Sequence, residues 1–168
     1  MTGARHTGLP PILPPQARLL VLGSFPGEAS LREGRYYAHP RNAFWPIVGA
    51  LLGRPLAEAD DAQRLAALRF AGLALWDVIA GCSRAGSLDA AIREPRRNAF
   101  EPVLAALPLL GAVAFNGATA ARAEPWFAAR GLRTYRLPST SPAHASMAVA
   151  AKHARWQVLR DDGWIGAP

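Results

Sequence analysis

The stretch LLVLGSFPG at residues 19–27 decides the fold. Four apolar residues run without interruption and stop at Gly23, and a proline–glycine turn follows at residues 26–27. An unbroken apolar run is typical of a strand covered on both faces, as in a parallel sheet between layers of helices. The segment YYAHPRNAFW at residues 36–45 then gathers aromatic, amide and imidazole side chains. Such a group suits a pocket for a flat, hydrogen-bonding ligand, and a nucleobase is our first hypothesis.

Three further apolar runs have the same character, which extends the fold prediction to the whole chain. The predicted strands are residues 18–23, 73–78, 112–115 and 134–137. Segments with helical periodicity separate or follow them, at residues 42–52, 60–70, 98–107, 118–130 and 147–159. Strands that alternate with helices pair in parallel through crossover connections. We predict an α/β fold in one domain over residues 1–168, with a proline-rich N-terminal extension at residues 1–17.

Composition excludes several classes of protein. The 168 residues are 51% apolar, which fits a compact domain rather than a disordered chain. No apolar run reaches the roughly 18 residues needed to span a bilayer, and the N-terminus lacks a signal-like apolar stretch. We therefore expect a cytoplasmic protein. Cys82 is the only cysteine and no acidic or histidine cluster has ligand spacing, so we expect no metal, iron–sulfur cluster or disulfide.

The charge of the chain favours a polyanionic partner. The formal net charge is +7, and arginine supplies nearly all of it because Lys152 is the only lysine. A basic surface attracts nucleic acid and steers it towards the protein. The arginine codons of a GC-rich genome are the alternative explanation. Arg41, Arg84 and Arg136 are candidates for phosphate contacts, and a solvated surface role is the alternative for each.

Polar or turn-forming residues follow every predicted strand. They are Ser24 in the first loop, Asp77, the Asn116-Gly117 pair, and PSTSPAH at residues 138–144. Ligands of open α/β sheets bind at these carboxyl ends, so we expect the four loops to share one cleft. Asp77 as a helix cap and Asn116-Gly117 as a simple turn are the alternatives. His39 and His144 are more often structural than catalytic.

Three motifs resemble those of the uracil-DNA glycosylase superfamily. They are GSFPG at residues 23–27, YYAHPRNAFW at 36–45 and LPSTSPAHA at 137–145. The first two look like the first motif of mismatch-specific uracil-DNA glycosylases and are still closer to the hypoxanthine-DNA (deoxyinosine) glycosylase group. LALWDVIAGCSRAGSLDAAI at 73–92 and VAFNG at 113–117 also resemble that group, so the resemblance covers about residues 18–159.

The resemblance implies both a fold and an activity. The fold is a three-layer α/β/α sandwich around a four-stranded parallel central sheet. The activity is hydrolysis of the N-glycosidic bond of a deaminated base, hypoxanthine or uracil, in DNA during base-excision repair. It implies no metal or organic cofactor, a DNA substrate and no membrane, and we expect a monomer.

The chain departs from the superfamily at two positions. Many relatives have Asp or Asn where this chain has Phe25, and His where it has Leu137. By resemblance to the hypoxanthine-removing group, Asn42 takes the water-positioning, catalytic role; capping of the following helix is the alternative.

The remaining roles follow from the resemblance and from position. The predicted base-binding residues are Ser24, Phe25, Tyr37, Asp77 and Asn116. Tyr37 is the first choice for stacking on the base and Phe25 the second, with core packing as the alternative for both. The predicted DNA-binding residues are Ser139, Thr140, Ser141 and His144. Lys152 lies on the last helix, so no amine nucleophile is expected in the pocket and we predict a monofunctional enzyme.

Two other classes of function remain open. A small α/β hydrolase needs a G-x-S-x-G elbow or a phosphate-binding glycine loop. GSFPG fits neither, because its serine comes one position early and Pro26 removes an amide donor. A non-catalytic DNA- or nucleotide-binding protein of the same fold is the other class, and Phe25 and Leu137 favour it.

Overall fold

The computed structural model describes residues 4–166 and contains the four predicted strands. Each differs from its predicted range by at most one residue at either end. In chain order the elements are β1 (Arg5–Thr7), β2 (Leu19–Gly23), α1 (Glu28–Glu33), α2 (Phe44–Leu52), α3 (Asp61–Ala71), β3 (Leu73–Asp77), β4 (Ile79–Ser83), β5 (Arg93–Arg97), α4 (Glu101–Ala106), β6 (Ala112–Asn116), α5 (Ala118–Ala121), α6 (Glu124–Ala128), β7 (Arg133–Leu137), α7 (Val149–Trp156) and α8 (Val158–Asp161).

The central sheet confirms the predicted fold class. Its strand order is β3-β2-β6-β7, and all three neighbouring pairs are parallel. Leu19 lies opposite both Leu73 and Ala112, so the first residues of these strands are in register. In-register parallel strands bring their carboxyl ends to one edge of the sheet. The loops that carry the polar residues therefore leave the sheet from the same side.

Burial on both faces explains why β2 is apolar throughout. Leu19 and Val21 belong to one core cluster with Phe44 on α2, whereas Leu20 and Leu22 belong to a second cluster on the other face. Successive strand residues point to opposite faces, so both faces must be covered by other elements. The result is the expected three-layer α/β/α arrangement.

Two of the predicted helices are each divided into two. Residues 118–130 form α5 and α6, and Pro125 lies in the first turn of α6. A proline has no N–H to donate to the carbonyl four residues earlier, so it begins a new helix. Residues 147–159 are divided at Gln157 into α7 and α8.

A second sheet, absent from the sequence prediction, lies beside the first. It is antiparallel with the order β1-β4-β5, and it pairs Ser83 with both Arg5 and Arg93. Part of the proline-rich segment is therefore structured, and Ile12 also forms a bridge with Leu75 at the edge of the central sheet. Residues 1–3 of that segment lie outside the described range, and the single-domain assignment stays a prediction. Within residues 4–166 no helix is long and apolar enough to cross a membrane.

Candidate active site

A pocket of about 320 Å³ lies at the carboxyl end of the central sheet. Loops that follow all four parallel strands contribute to it. The ten residues predicted to act on base, water or DNA all line it: Ser24, Phe25, Tyr37, Asn42, Asp77, Asn116, Ser139, Thr140, Ser141 and His144. Residues up to 120 positions apart in the chain are thus brought to one cavity, although their individual roles stay predictions.

Tyr37 lies in the pocket wall, and its backbone conformation is strained. Its φ is 54°, in the left-handed region that bulky residues rarely adopt. The ring stacks on Phe44 with a centroid distance of 4.0 Å and an interplanar angle of 21°. The hydroxyl is buried and makes no hydrogen bond to any of the residues that the structure describes, and burial raises its pKa. Such strain persists where the surrounding structure imposes it, most often at functional sites.

Asp77 is a buried carboxyl with one unpaired oxygen. It is the last residue of β3 and leads directly into β4, so the helix-cap alternative is wrong. Its Oδ2 has no hydrogen-bond partner among residues 4–166, and only 5% of the residue is exposed. Burial raises the pKa of Asp77 to about 7; the charge of Asp89 acts in the same direction and that of Arg84 opposes it. A carboxyl with this pKa is a mixture of acid and carboxylate at neutral pH.

Gly23 leaves the space in which Asp77 and Tyr37 meet. A Cβ atom at this position would lie 2.5 Å from Oδ1 of Asp77 and 3.3 Å from the Tyr37 hydroxyl. The first distance is shorter than any real carbon–oxygen contact, so only glycine fits here. This steric restriction explains why the apolar run ends at Gly23. The Asp77 carboxyl and the Tyr37 hydroxyl, both buried and without complete hydrogen bonding among the described residues, meet beside it.

Asn42 makes the hydrogen bond expected of a helix cap, and its predicted catalytic role stays a prediction. Its Oδ1 accepts a hydrogen bond from the Phe44 N–H at 3.0 Å, which caps the start of α2, and the residue also lines the pocket. Because a main-chain N–H can only donate, the atom that faces it must be the amide oxygen. The Nδ2 group and the second lone pair of Oδ1 remain for other partners.

Asn116 and Thr140 join two of the pocket loops. The Asn116 Nδ2 donates to Thr140 Oγ1 at 3.0 Å, and the Thr140 N–H donates back to Asn116 Oδ1 at 2.9 Å. The Thr140 carbonyl in turn accepts from the Ala43 N–H at 3.0 Å, beside Asn42. Only 1% of Thr140 is exposed, so its side chain is out of reach of DNA in this structure. The direct contact with DNA that we expected of Thr140 is therefore wrong. The turn alternative is also realised, since Gly117 has a φ of 99°.

The rest of the loop that follows β7 lies nearer the surface. The side chains of Ser139, Ser141 and His144 are partly exposed at the pocket rim. Ser139 Oγ accepts from the Ser141 N–H, and Lys152 Nζ donates to the Ser141 carbonyl at 3.3 Å. Lys152 is 3% exposed, and burial lowers its pKa. Short-range hydrogen bonds and a buried lysine therefore hold this loop in shape.

The first loop is supported from beneath by Arg84. The guanidinium lies 5.1 Å from the centre of the Phe25 ring and donates to the carbonyls of Pro26 and Gly86. Arg84 is 2% exposed, so the phosphate contact expected of it is wrong. Phe25 is 7% exposed and packs in the core, as its alternative interpretation expected, while its edge still lines the pocket.

The segment between β4 and β5 contributes residues that are not among the predicted site residues. Ser24 Oγ donates to Oδ1 of Asp89 at 2.7 Å, and Ser87 Oγ accepts from the Glu28 N–H at 2.9 Å. Ser87 and Asp89 both line the pocket. They lie within the motif at residues 73–92, which was the available signal.

Arg136 forms an ion pair with Glu124. Its guanidinium, which we expected to contact phosphate, is therefore already engaged within the protein.

The comparison with known families agrees with this geometry. The family model described as the uracil DNA glycosylase superfamily matches residues 10–161. The chain belongs to this superfamily.

Individual superfamily members are similar over most of their length. A hypoxanthine DNA glycosylase of Methanosarcina barkeri is 36% identical over 140 residues, which cover 83% of this chain and 89% of the relative. A hypoxanthine DNA glycosylase of Methanosarcina acetivorans is 33% identical over 152 residues, which cover 90% and 96%.

A solved structure supports the same family. It is a solution NMR structure from Methanosarcina acetivorans, described as a candidate uracil DNA glycosylase. The TM-score is 0.85 at 31% identity, with 95% of this chain and 98% of that chain covered. The match includes the central sheet and therefore the edge at which the pocket lies.

The titratable residues of this superfamily member form no metal site within residues 4–166. No group of three or more His, Cys, Asp or Glu side chains there is arranged to hold an ion. His39, which lines the pocket, instead accepts a hydrogen bond at Nδ1 from the Arg41 N–H at 3.1 Å. Its ring is thus engaged with its own loop, as the structural interpretation expected.

Proposed function

We propose that the protein is a monofunctional DNA glycosylase that rotates a deaminated base out of DNA and hydrolyses its N-glycosidic bond. Hypoxanthine is the first candidate base and uracil the second, and the repair pathway served is base-excision repair. The observation that carries the proposal is the single pocket in which Tyr37, Asn42, Asp77 and the loop after β7 meet. A base inside a duplex is inaccessible to such a pocket, so the nucleotide must leave the stack.

The pocket offers both a stacking surface and polar groups for a base. A base stacked on an aromatic side chain gains ~1–3 kcal/mol, and we assign this role to Tyr37, with Phe25 at the other wall. Two buried polar atoms lack partners, Tyr37 Oη and Asp77 Oδ2. An unsatisfied buried group costs roughly 1–3 kcal/mol, and the N–H and C=O groups of a deaminated base edge supply partners. Ser24 and the remaining donor of Asn116 complete the proposed base-binding set.

Asn42 is proposed to hold the attacking water below C1′ of the sugar. The C1′–N bond breaks with its electron pair going to the base, and the water oxygen bonds to C1′ and releases a proton. An amide cannot deprotonate water, so Asn42 contributes position rather than basicity. The main-chain N–H groups of Ser24, Phe25 and Gly27 are proposed to receive the charge that grows on the leaving base, as preorganised donors do at other sites.

The loop after β7 is proposed to contact DNA outside the pocket. Ser139, Ser141 and His144 lie at the rim, where a stiff loop can occupy the space left by the rotated nucleotide and reach the flanking phosphates. Thr140 fixes the loop to Asn116 and to the start of α2. Its proposed role is therefore to position the loop.

Among the described residues, no lysine lines the pocket. Lys152 is the only lysine and does not line the pocket. A lyase needs an amine nucleophile that attacks C1′. We therefore propose hydrolysis alone, leaving an intact abasic strand, by a protein that acts as a monomer.

The test is strand scission at a modified base after alkali treatment. End-labelled oligonucleotides, single- and double-stranded, carry hypoxanthine, uracil or xanthine at one position. Asn42→Ala is expected to lose about 100-fold or more in single-turnover rate. Asn42→Ser is the folding control, because its hydroxyl still accepts from the Phe44 N–H but is too short to hold the same water. Wild-type breaks that need no alkali would contradict hydrolysis alone, and an Asn42→Ala rate within tenfold of wild type would remove its catalytic role.

A non-catalytic binding protein is the second candidate. The observation that favours it is the pair Phe25 and Leu137, both buried and both without polar atoms at positions where many relatives carry catalytic groups. Tight binding of hypoxanthine-containing DNA without any alkali-sensitive break would support it. Cleavage of nitrophenyl esters would instead support the α/β hydrolase class.

A further inference from the structure

The second sheet carries a set of arginines that the proposed site does not use. We call it the arginine ribbon: Arg5 on β1 and Arg93, Arg96 and Arg97 on β5. Every residue of β5 is exposed, and so is Arg5. Glu94 is the one acidic residue on these two strands, and none of the four arginines takes part in an ion pair within the described residues. The ribbon is therefore a strongly positive surface.

Three of the four ribbon side chains make contacts that hold them in place. The Arg96 guanidinium covers Gly81 of β4, where a Cβ atom would lie 3.2 Å from its nitrogen. The Arg97 guanidinium lies 5.6 Å from the centre of the Phe100 ring, and Arg93 donates to the carbonyls of Ala90 and Ile92. Side chains that are already ordered lose less entropy when they bind. Each guanidinium has five donors, so most of its hydrogen-bonding capacity remains.

The ribbon begins close to the pocket. Residues 84–92 connect β4 to β5, and two hydrogen bonds fix this segment to the first loop, from Ser24 to Asp89 and from Glu28 to Ser87. Because Ser87 and Asp89 line the pocket, Arg93 follows the pocket wall by only four residues. A five-residue strand extends roughly 16 Å, a length comparable with four or five base-pair steps along the axis of a DNA duplex.

We propose that the arginine ribbon binds the phosphates of the DNA that flanks the target nucleotide. The inference rests on the proposed function, which brings DNA to the neighbouring pocket. Arginine is suited to this partner because its planar guanidinium forms bidentate hydrogen bonds with phosphate. Contacts of this kind fix the register of a protein on DNA and carry no sequence information. The ribbon thus supplies binding energy at a distance from the chemical step.

The experiment measures the salt dependence of DNA binding. The variant Arg5→Gln/Arg96→Gln/Arg97→Gln is compared with Arg54→Gln/Arg122→Gln/Arg130→Gln, which removes the same charge from exposed arginines elsewhere. The affinity for a 20-base-pair duplex, undamaged or with one hypoxanthine, is measured between 50 and 200 mM salt. Each lost phosphate contact lowers the slope of log K against log salt by about 0.9. We expect the magnitude of this slope to be about 2–3 smaller in the ribbon variant than in the wild type, and to change much less in the control variant.

Two further readouts separate the outcomes. Single-turnover excision from saturating DNA is expected to be unchanged in the ribbon variant, because no ribbon residue lines the pocket. Equal slopes in the two triple variants would overturn the proposal, as would a lower excision rate at saturation with an unchanged slope. If the triple variant does not fold, Arg97→Gln alone should lower the slope by about 0.9. Binding to undamaged duplex requires no excision. A protein that binds this duplex through the ribbon but excises no base would therefore contradict the proposed function and not the ribbon proposal.

Discussion

At the scale of single residues, the buried carboxyl of Asp77 lowers the stability of the fold at neutral pH. Its carboxyl is buried with an unpaired oxygen, and its pKa is raised to about 7. In an unfolded chain the same group loses its proton near pH 4. Between these two values the folded protein holds one more proton than the unfolded chain. Stability therefore falls as the pH rises from about 4 to 7 and stays low above that.

Replacement of Asp77 should remove this pH dependence of stability. We expect Asp77→Asn to unfold with nearly constant free energy between pH 5 and 8, whereas the wild type loses stability over the same range. The difference at pH 8 should reach at least about 1–2 kcal/mol in favour of the variant. Urea unfolding at several pH values measures it. A wild type that becomes more stable towards pH 8 would show that Asp77 is ionised and stabilised in the fold.

Excision should follow the neutral form of Asp77. A carboxylate in the pocket would repel a leaving base on which negative charge grows, whereas the acid can donate to it. We expect kcat/KM to fall up to tenfold per pH unit above about 7 in the wild type and to be nearly flat in Asp77→Asn. The groups that act on this carboxyl are Asp89 and Arg84, so Asp89→Asn should shift the fall to lower pH. An excision activity that rises as the pH increases through 7 would show that the ionised form of Asp77, and not the neutral acid, supports excision.

At the scale of elements, α7 holds the rim loop through two side chains. Trp156 Nε1 donates to the Pro138 carbonyl at 3.0 Å, and Lys152 Nζ donates to the Ser141 carbonyl at 3.3 Å. The Ser141 carbonyl also accepts from the His144 N–H at 3.0 Å, so loss of the lysine donor removes one of its two partners. We propose that the helix acts on DNA binding through the shape of a loop that it does not itself contain.

Substitution of Lys152 should weaken DNA binding more than chemistry. Lys152→Met keeps the length of the buried side chain and removes the donor, so we expect a KM three- to tenfold higher with kcat nearly unchanged. Steady-state excision kinetics measure both, and Lys152→Arg, which keeps a donor, is the comparison. A fall in kcat with constant KM would instead place this amine in the chemical step.

Elements with a strong apolar pattern could be predicted from the sequence, and charged ones could not. Three of the four parallel strands, β2, β3 and β6, are almost fully buried, which leaves a strong apolar signal in each. The edge strand β7 reads RTYRL and buries only Tyr135 and Leu137, so its signal is weaker. Strand β5 reads REPRR and is stabilised only by pairing with β4, so no local pattern marks it. The pocket was predictable because its residues follow strands, but the contribution of Arg84, Ser87 and Asp89 depends on the second sheet. Local propensity cannot show where such a sheet docks.

At the scale of the whole molecule, the N-terminal segment joins the two sheets. Strand β1 pairs with β4 of the second sheet, and Ile12 forms a bridge with Leu75 at the edge of the central one. The Tyr36 hydroxyl donates to the Pro10 carbonyl at 2.8 Å, which ties the segment to the pocket wall. A segment that composition alone marks as an extension thus contributes to the arrangement of the site.

Removal of residues 1–12 should therefore affect both stability and excision. It leaves the Tyr36 hydroxyl buried without a partner and exposes the edges of β3 and β4. We expect a loss of at least about 2 kcal/mol in the free energy of unfolding, together with a lower excision rate, because Tyr36 lines the pocket. Tyr36→Phe isolates the contribution of the hydroxyl. A truncated protein with wild-type stability and rate would show that the segment is dispensable.

The hydrogen bonds that Thr140 makes to Asn116 and to Ala43 have a practical consequence for engineering. They join the loop that we propose to meet DNA to the segment that carries Asn42, so a displacement of one segment moves the other. If only one of these segments were grafted from another superfamily member, these hydrogen bonds would lose one of their two partners. Chimaeras should therefore exchange them as a matched set, with residue 116 included.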